Sequence, residues 1–150
     1  MTEKTFGSKA DLHYTEKRYA YLIALDRGGV HVLSNGKQTM LPGGEIMETT
    51  SHEETILGAC IDQTGFDVSV EDFITDADAY DNTSAEHRTC TYYSGSFLEE
   101  IAPACDPTLK HTTLPLIDLD RLTDPMDRWA VLACMDMLRA DAHGSDDEDL

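Results

Sequence analysis

The chain has 150 residues, of which 41% are hydrophobic, so it is long enough to form one globular domain with a buried core. Its 11 basic and 29 acidic residues give a formal net charge of -18 at pH 7. A field of that sign repels DNA, RNA and anionic lipid, so extended nucleic acid and membranes are not expected as partners.

No targeting or membrane-spanning segment is indicated. The sequence contains no run of about 18 apolar residues, which a membrane-spanning helix requires. Its N-terminus lacks the basic segment followed by an apolar stretch that marks a signal peptide. We therefore expect a cytoplasmic protein.

The four cysteines are far apart and form no C-x-x-C pair, so zinc and redox motifs are unsupported. They are Cys60, Cys90, Cys105 and Cys134. Cys60 and Cys134 lie at apolar positions of predicted helices, and we expect both to be buried thiols.

The first part of the chain predicts an arm followed by strands. Residues 1–17 are polar with scattered aromatics and indicate an ordered arm or a short edge strand. Residues 19–25 form a continuous apolar run, typical of a central strand that is buried on both faces. A second strand is predicted at residues 30–33, and Asn35-Gly36 predicts a hairpin that returns through residues 38–41.

A glycine turn then leads into a helix. Residues 41–45 read Leu-Pro-Gly-Gly-Glu, which predicts a turn at the end of a strand. Ser51 followed by Glu54 is a capping box, and Gly65 is suited to the left-handed residue that ends a helix. The apolar positions Ile56, Leu57, Cys60 and Ile61 have the spacing of one helical face.

Two histidines in these elements are expected to face solvent. His31 alternates with apolar neighbours along the second strand. His52 lies in the first turn of the predicted helix, beside its capping serine.

A second hairpin is predicted after the helix. Residues 73–80 alternate between apolar and polar side chains, residues 82–87 indicate a turn, and residues 88–98 are rich in strand-forming residues. Glu99 and Glu100 close the second strand.

The last predicted element is a helix. Residues 114–122 indicate a short strand that leads into a small helix. Asp124 and Pro125 then supply an N-cap and a first helical residue. An apolar stripe for packing on the sheet is predicted at Trp129, Leu132, Ala133 and Met137. Residues 141–150 contain five acids and indicate a disordered tail.

The glycine turn and helix resemble the Nudix box of the MutT-like Nudix hydrolases, G-x5-E-x7-R-E-U-x-E-E-x-G-U with U apolar. Placing the first glycine at Gly44 puts the last glycine at Gly65 and the final apolar residue at Phe66, without gaps. The resemblance covers residues 18–139 and implies an α/β fold, an αβα sandwich with a mixed central sheet. The Nudix-like domain is expected at residues 18–140, as the single domain of the chain.

Most of the chemical groups of the box are replaced, so the box is degenerate. Thr50, Gly58, Ala59 and Gln63 stand where the family has Glu, Arg, Glu and Glu, and Asp62 alone keeps an acid. The resemblance implies that the helix carboxylates hold Mg²⁺ or Mn²⁺ on the face formed by positions 59, 62 and 63. We expect weak, substrate-assisted metal binding through Asp62 and the backbone oxygen near Gly44, without a tight multi-metal centre.

No catalytic residue is assigned. In the family, a glutamate outside the box sometimes supplies a metal ligand or a general base, so Glu99, Glu100 and Glu86 are candidates by location. The alternative is that they are solvated residues at strand ends.

The resemblance implies a hydrolase of nucleoside diphosphates linked to another group, with its Mg²⁺-dependent hydrolysis weak or lost. One alternative is a non-catalytic protein that binds a nucleotide or a phosphorylated metabolite. Another is a protein-interaction module that uses the acidic surface. Dimer formation is common in the family, so a homodimer is a further expectation.

Overall fold

The computed structural model describes the backbone of residues 2–148 and the side chains of residues 2–141. In this part of the chain the strands are β1 (Lys4–Phe6), β2 (Thr15–Ile23), β3 (Leu25–Asp26), β4 (Gly29–Ser34), β5 (Thr39–Met40), β6 (Gly43–Glu45), β7 (Phe66–Asp81), β8 (Glu86–Glu100) and β9 (Lys110–Leu114). The helices are α1 (His52–Thr64) and α2 (Pro125–Glu148), with a short 3-10 segment at Leu116–Arg121. Over these residues, neither helix combines the length and the hydropathy needed to cross a membrane.

A mixed sheet of five strands, in the order β1-β7-β8-β2-β6, forms the centre of the fold. β1 runs parallel to β7 and β2 runs parallel to β8, whereas the pairs β7–β8 and β2–β6 are antiparallel. A smaller sheet pairs β4 with β3, β5 and β9. The predicted mixed sheet is confirmed, and β2, the strand predicted to be central, is paired on both sides.

The two helices cover opposite faces of the central sheet. α1 buries Cys60 in a cluster with Leu22 of β2, and α2 buries Cys134 in a separate cluster with Tyr92 of β8. Both cysteines are free buried thiols, as predicted. The predicted αβα sandwich is therefore confirmed.

Helix α1 has the predicted ends. Ser51 Oγ accepts a hydrogen bond of 3.1 Å from the backbone N–H of Glu54, which satisfies a free donor of the first turn. Gly65 has φ = 79° and donates its N–H to the carbonyl of Ile61. A side chain at Gly65 would also collide with the carbonyl oxygen of Ala102, so both the backbone conformation and the packing require glycine.

Helix α2 begins as predicted but is rotated from the predicted orientation. Asp124 Oδ1 accepts from the backbone N–H of Met126 at 2.9 Å, which confirms the N-cap. The predicted stripe is wrong at Leu132, which is 50% exposed. The buried side chains of the described part of α2 are Met126, Asp127, Ala130, Val131 and Cys134. The buried face of α2 therefore includes the acidic Asp127, whose carboxyl group accepts a hydrogen bond from the Tyr92 hydroxyl.

The predicted arm is divided between two strands. β1 pairs with β7 at the edge of the central sheet, and residues 15–17 begin β2. Phe6 packs edge-on against Trp129 with 6.0 Å between ring centroids. Trp129 is half-buried at the border of the core, so the arm covers a side chain that was predicted to lie within it.

Both strands of the predicted second hairpin are longer than predicted. β7 begins at Phe66, directly after the residue that ends α1, and β8 begins at Glu86. The backbone of α2 continues through Glu148, beyond the predicted domain boundary at residue 140. Residues 149 and 150 lie outside the described residues, and a disordered tail at residues 141–150 stays a prediction.

The solvent-facing positions predicted for two histidines are wrong. His31 is half-buried: its ring stacks on Phe97 at 4.6 Å, and its Nδ1 lies 2.8 Å from His111 Nε2. His52 is also half-buried, with its Nδ1 2.8 Å from the hydroxyl oxygen of Tyr93. In both cases the partner comes from a strand that is distant in sequence.

A network of charged and polar groups fastens the N-terminal residues to the central sheet. Asp78 Oδ1 accepts from the hydroxyls of Thr2 at 2.6 Å and Thr5 at 2.7 Å. Its Oδ2 lies 2.7 Å from Nε2 of His87, whose Nδ1 lies 2.6 Å from Glu16 Oε2. A histidine donates from both ring nitrogens when it is protonated, so the charged form of His87 suits this position.

These contacts shift the pKa values of both central groups. Burial favours the neutral form of His87, but hydrogen bonds to Asp78 and Glu16 prevail and raise the pKa of His87 above 6.5. Burial also favours neutral Asp78, but hydrogen bonds from Thr2 and His87 lower the pKa of Asp78 below 3.8. The stabilisation from His87 is complete below its unfolded pKa and is lost as the pH rises through its raised folded pKa. The stabilisation from Asp78 is present above its unfolded pKa and is lost as the pH falls through its lowered folded pKa.

We expect His87→Gln to lower the free energy of unfolding by about 1–2 kcal/mol near pH 5.5, and by less near pH 8.5, because the contribution of charged His87 falls as the pH rises through its raised folded pKa. Urea denaturation followed by Trp129 fluorescence measures both values. His13→Gln, which changes an exposed histidine of the N-terminal region, is the matched control. An equal loss of stability at the two pH values would contradict the assigned role of His87.

Candidate functional site

The glycine turn packs on the face of α1 that carries box positions 59 and 63. Gly43 has φ = 149°, and a side chain there would collide with the carbonyl oxygen of Ala20, so this position requires glycine. A Cβ atom on Gly44 would lie 3.6 Å from the Cβ of Ala59. The predicted turn is corrected at both glycines, because Gly43 and Gly44 belong to β6, which pairs with β2 and packs on α1. We keep the name glycine turn for residues 41–45.

Gln63 joins the helix to the glycine turn by two hydrogen bonds. Its Nε2 donates to the carbonyl oxygen of Gly43 at 2.8 Å, and its Oε1 accepts from the N–H of Gly43 at 3.2 Å. The amide group at box position 63 is therefore engaged with the backbone of Gly43 on both its nitrogen and its oxygen. We call this pair of bonds the amide brace.

The other box positions do not assemble into a metal-binding group. Asp62 is exposed, its backbone oxygen accepts from the N–H of Cys105 at 2.8 Å, and its Oδ1 lies 3.8 Å from Cys105 Sγ. Thr50 donates to the carbonyl of Met47 at 3.1 Å, and Gly58 has no neighbour within 4 Å of a built Cβ. Across the residues that the structure describes, no group of three or more His, Cys, Asp or Glu side chains could hold a metal ion.

The candidate catalytic glutamates lie at opposite ends of one strand. Glu86 opens β8 and pairs with Thr15 and Asp81, whereas Glu100 closes it and pairs with Phe66. Glu99 and Glu100 are exposed. Glu100 is therefore near the end of the box helix, and Glu86 is far along the strand from it.

A cavity of about 330 Å³ opens beside the glycine turn, on the side of the sheet that α2 covers. Its walls come from β2, β5, β6, β8 and the start of α2. The lining residues are Tyr19, Tyr21, Gln38, Thr39, Met40, Leu41, Gly43, Gly44, Arg88, Thr123, Asp124 and Asp127. Tyr19 and Tyr21 are two residues apart on β2, so they point to the same face, and their rings are 6.1 Å apart with an interplanar angle of 8°.

The charged groups of the cavity are paired with protein groups. Arg88 Nη2 donates to Asp124 Oδ2 at 2.7 Å, and Tyr92 donates its hydroxyl to Asp127 Oδ1 at 2.9 Å. Burial, and then the neighbouring charge of Asp124, raise the pKa of Asp127 to about 7. Burial favours neutral Arg88, but Asp124 prevails and raises the pKa of Arg88 further above its usual range. The guanidinium therefore stays charged.

Of the residues that line this cavity, only Gly44 was assigned to a binding site from the sequence. The alternation of Tyr19 and Tyr21 along β2 was a usable signal, because it places two polar-tipped aromatic rings on one face of a central strand. Arg88 and Asp124 are 36 positions apart, so their pairing had no local signal. Asp124 was predicted correctly as a cap, and its second role at the cavity wall was missed.

Solved structures of Nudix proteins resemble this chain over most of their length. A Nudix hydrolase from Nitrosomonas europaea has a TM-score of 0.72 at 8% identity, covering 81% of this chain and 89% of that one. An ADP-ribose pyrophosphatase from Streptococcus suis has a TM-score of 0.65 at 16% identity, covering 83% and 93%. A MutT protein from Methanosarcina mazei Go1 has a TM-score of 0.64 at 15% identity, covering 81% and 94%.

No protein-family model and no curated protein matches the sequence. The shared architecture includes the mixed central sheet, with one helix on each face. At 8–16% identity the likeness establishes the three-dimensional arrangement and leaves the substrate open. The chain has the fold of the Nudix hydrolases.

Proposed function

We propose that this chain is a Nudix-fold protein with a degenerate box, which binds a small ligand in the cavity beside the glycine turn without cation-dependent hydrolysis. The observation that carries the proposal is the amide brace between Gln63 and Gly43. It connects the turn to the helix through neutral groups, at the place where the family resemblance implies metal-binding carboxylates.

The residues at this place do not fit a resident divalent cation. Mg²⁺ is bound through oxygen atoms in near-octahedral geometry, usually with at least one carboxylate. Ala59 has no side-chain oxygen, the amide oxygen of Gln63 accepts from Gly43, and Asp62 is a single exposed acid beside Cys105. The chemistry of these side chains supports a scaffold that is stable without metal.

The size and lining of the cavity support the binding of a small ligand as the function of this chain. A volume of about 330 Å³ is at the lower end of the range of small-molecule sites, and tyrosine rings with a few oriented polar groups are typical of such sites. The cavity is formed by paired strands and a capped helix, so it does not depend on a bound cation for its shape.

A weak hydrolase is the second candidate, and Asp62 is the observation that favours it. Its exposed carboxylate could contact a cation carried by substrate phosphates, since Mg²⁺ is often held by one carboxylate together with phosphates. In that case Asp62→Asn would abolish turnover. Under the proposed function the same change has no effect on ligand binding.

We expect no Mg²⁺- or Mn²⁺-dependent turnover above the metal-only blank in a screen of nucleoside triphosphates, dinucleotides, nucleotide sugars and ADP-ribose. We expect at least one nucleoside or nucleotide to raise the melting temperature in EDTA, because ligands that bind only the folded state stabilise it. Product formation is measured by chromatography and melting by differential scanning fluorimetry. Turnover that Asp62→Asn removes would refute the proposed function and support the second candidate.

The double variant Ala59→Glu, Gln63→Glu should create a cation site, because it places two carboxylates one helical turn apart beside the glycine turn. We expect at least about tenfold tighter Mn²⁺ binding than in the wild type, measured by electron paramagnetic resonance. Gly58→Glu is the matched control, because it also places two carboxylates four residues apart, with Asp62, but at an open position of α1. Wild-type Mn²⁺ binding as tight as that of the double variant would contradict the loss of the metal site.

Gln63→Ala removes both hydrogen bonds of the amide brace, and each contributes about 0.5–1.5 kcal/mol net. We therefore expect the free energy of unfolding to fall by about 1–3 kcal/mol, as measured by urea denaturation. Gln38→Ala, at an exposed position, should change it by less than about 0.5 kcal/mol. Equal unfolding free energies of the Gln63→Ala and Gln38→Ala variants would show that the amide brace does not stabilise the fold.

A further inference from the structure

The cavity carries little or no net charge of its own. Arg88 and Asp124 form an ion pair of 2.7 Å, so their charges largely cancel for a ligand that occupies the cavity. Asp127 is 5% exposed and accepts from the Tyr92 hydroxyl. It adds between zero and one negative charge near neutral pH, because burial raises the pKa of Asp127 to about 7.

The lining of the cavity contains no unpaired positive side chain that could bind phosphates. Arg88 is the single lysine or arginine among its lining residues, and it already donates to Asp124. A diphosphate in such a place would lose its hydration and meet no opposite charge, which costs more than the contacts of its oxygens return. The box helix adds no compensating positive charge, because the side chains of Ala59 and Gln63 are neutral and that of Asp62 is acidic.

The surface next to the glycine turn does not compensate either. The cleft between β2 and the loop after β6 is lined by the acids Glu16, Glu45 and Glu48 and by the bases Lys17 and Arg18, with Glu16 paired to His87. The Nζ atom of Lys17 lies 4.0 Å from Glu45, so one of these bases already has a partner. With a net charge of -18 for the whole chain, the long-range field also opposes an anionic ligand.

The side chains that line the cavity are instead suited to a planar aromatic ring. Tyr19 and Tyr21 present nearly parallel rings, and Tyr21 is itself stacked on Tyr92 with 5.6 Å between centroids. Aromatic faces attract planar rings, and they attract cations through the negative face of the ring. The carboxyl groups of Asp124 and Asp127 can accept hydrogen bonds from N–H groups at the rim of such a ring.

We infer that the cavity binds an uncharged or cationic planar ring with N–H donors, as in a free nucleobase or a nucleoside, and discriminates against its diphosphate. The inference rests on the proposed function and narrows the ligand from nucleotides and phosphorylated metabolites to their unphosphorylated form. The preference arises from the balanced Arg88–Asp124 pair, the buried Asp127 and the two tyrosine rings.

The test is a matched comparison by isothermal titration calorimetry with the full chain in EDTA. The probes are adenosine, guanosine, cytidine and uridine, each against its 5′-diphosphate. At least one nucleoside is expected to bind, with its diphosphate at least about tenfold weaker. A diphosphate that binds as tightly as its nucleoside, or no binding of any nucleoside at millimolar concentration, overturns the inference.

A charge variant tests the physical cause. Asp124→Asn keeps the N-cap of α2, because asparagine caps as well as aspartate, and it removes the negative partner of Arg88. The affinity for the diphosphate should then increase at least about tenfold relative to the affinity for the nucleoside. Asp120→Asn, which removes one exposed acid outside the cavity, should leave the ratio unchanged. An unchanged ratio in Asp124→Asn contradicts the assigned electrostatic cause.

A second pair of variants tests the ring contact. Tyr19→Leu should weaken nucleoside binding at least about tenfold, whereas Tyr93→Leu changes the same residue type on β8, away from the cavity, and should not. Equal effects of the two changes overturn the assignment of the ring to the cavity. Failure of this inference and failure of the proposed function are separable, because turnover with Mg²⁺ decides the latter and the order of affinities in EDTA decides the former.

Discussion

Strand β2 contributes to two chemically different surfaces, one on each face of the central sheet. It is hydrogen-bonded to β8 on one side and to β6 on the other, and its side chains alternate between the two faces of the sheet. Ala20 and Leu22 pack with α1, whereas Tyr19 and Tyr21 line the cavity. A shift by one residue would exchange these sets, so the pairing of Tyr21 with Gly43 fixes both the core and the cavity.

The pairing of β2 with β6 also places the glycine turn in contact with α1. This contact explains how the fold can be stable without a bound cation. Carboxylates four residues apart on a helix repel one another unless a positive charge lies between them. Ala59 and Gln63 create no such repulsion, and the amide group of Gln63 satisfies both the N–H and the carbonyl of Gly43. The turn is therefore held by neutral hydrogen bonds that need no metal.

The balance of charges in the cavity explains why we infer a ligand without phosphates. A diphosphate needs a cation or several basic side chains, and the cavity offers one arginine that is already paired with an acid. The tyrosine rings, the half-buried Asp124 and the buried Asp127 favour a ring with N–H donors. The loss of carboxylates from the box and the composition of the cavity both disfavour a ligand with phosphates. The acidic surface adds to this preference at long range.

The sequence alone determined the features that depend on neighbours in the chain. The cap at Ser51, the stop at Gly65 and the cap at Asp124 are formed by groups a few residues apart, so their residue types were sufficient to predict them. The order of most strands and helices followed from the same local patterns. The αβα sandwich itself was predicted from the resemblance of the glycine turn and helix to the Nudix box, although no family model matches the chain.

Only the tertiary structure decided how distant groups meet. The bonds from Gln63 to Gly43 span 20 positions and the pairing of Arg88 with Asp124 spans 36, and neither has a signal in its own segment. The burial of Asp127 and the exposure of Leu132 on α2 were likewise decided by the tertiary structure. In each case a polar side chain could be buried or half-buried because folding brought it a partner, and a sequence pattern that treats polar residues as exposed does not contain that partner.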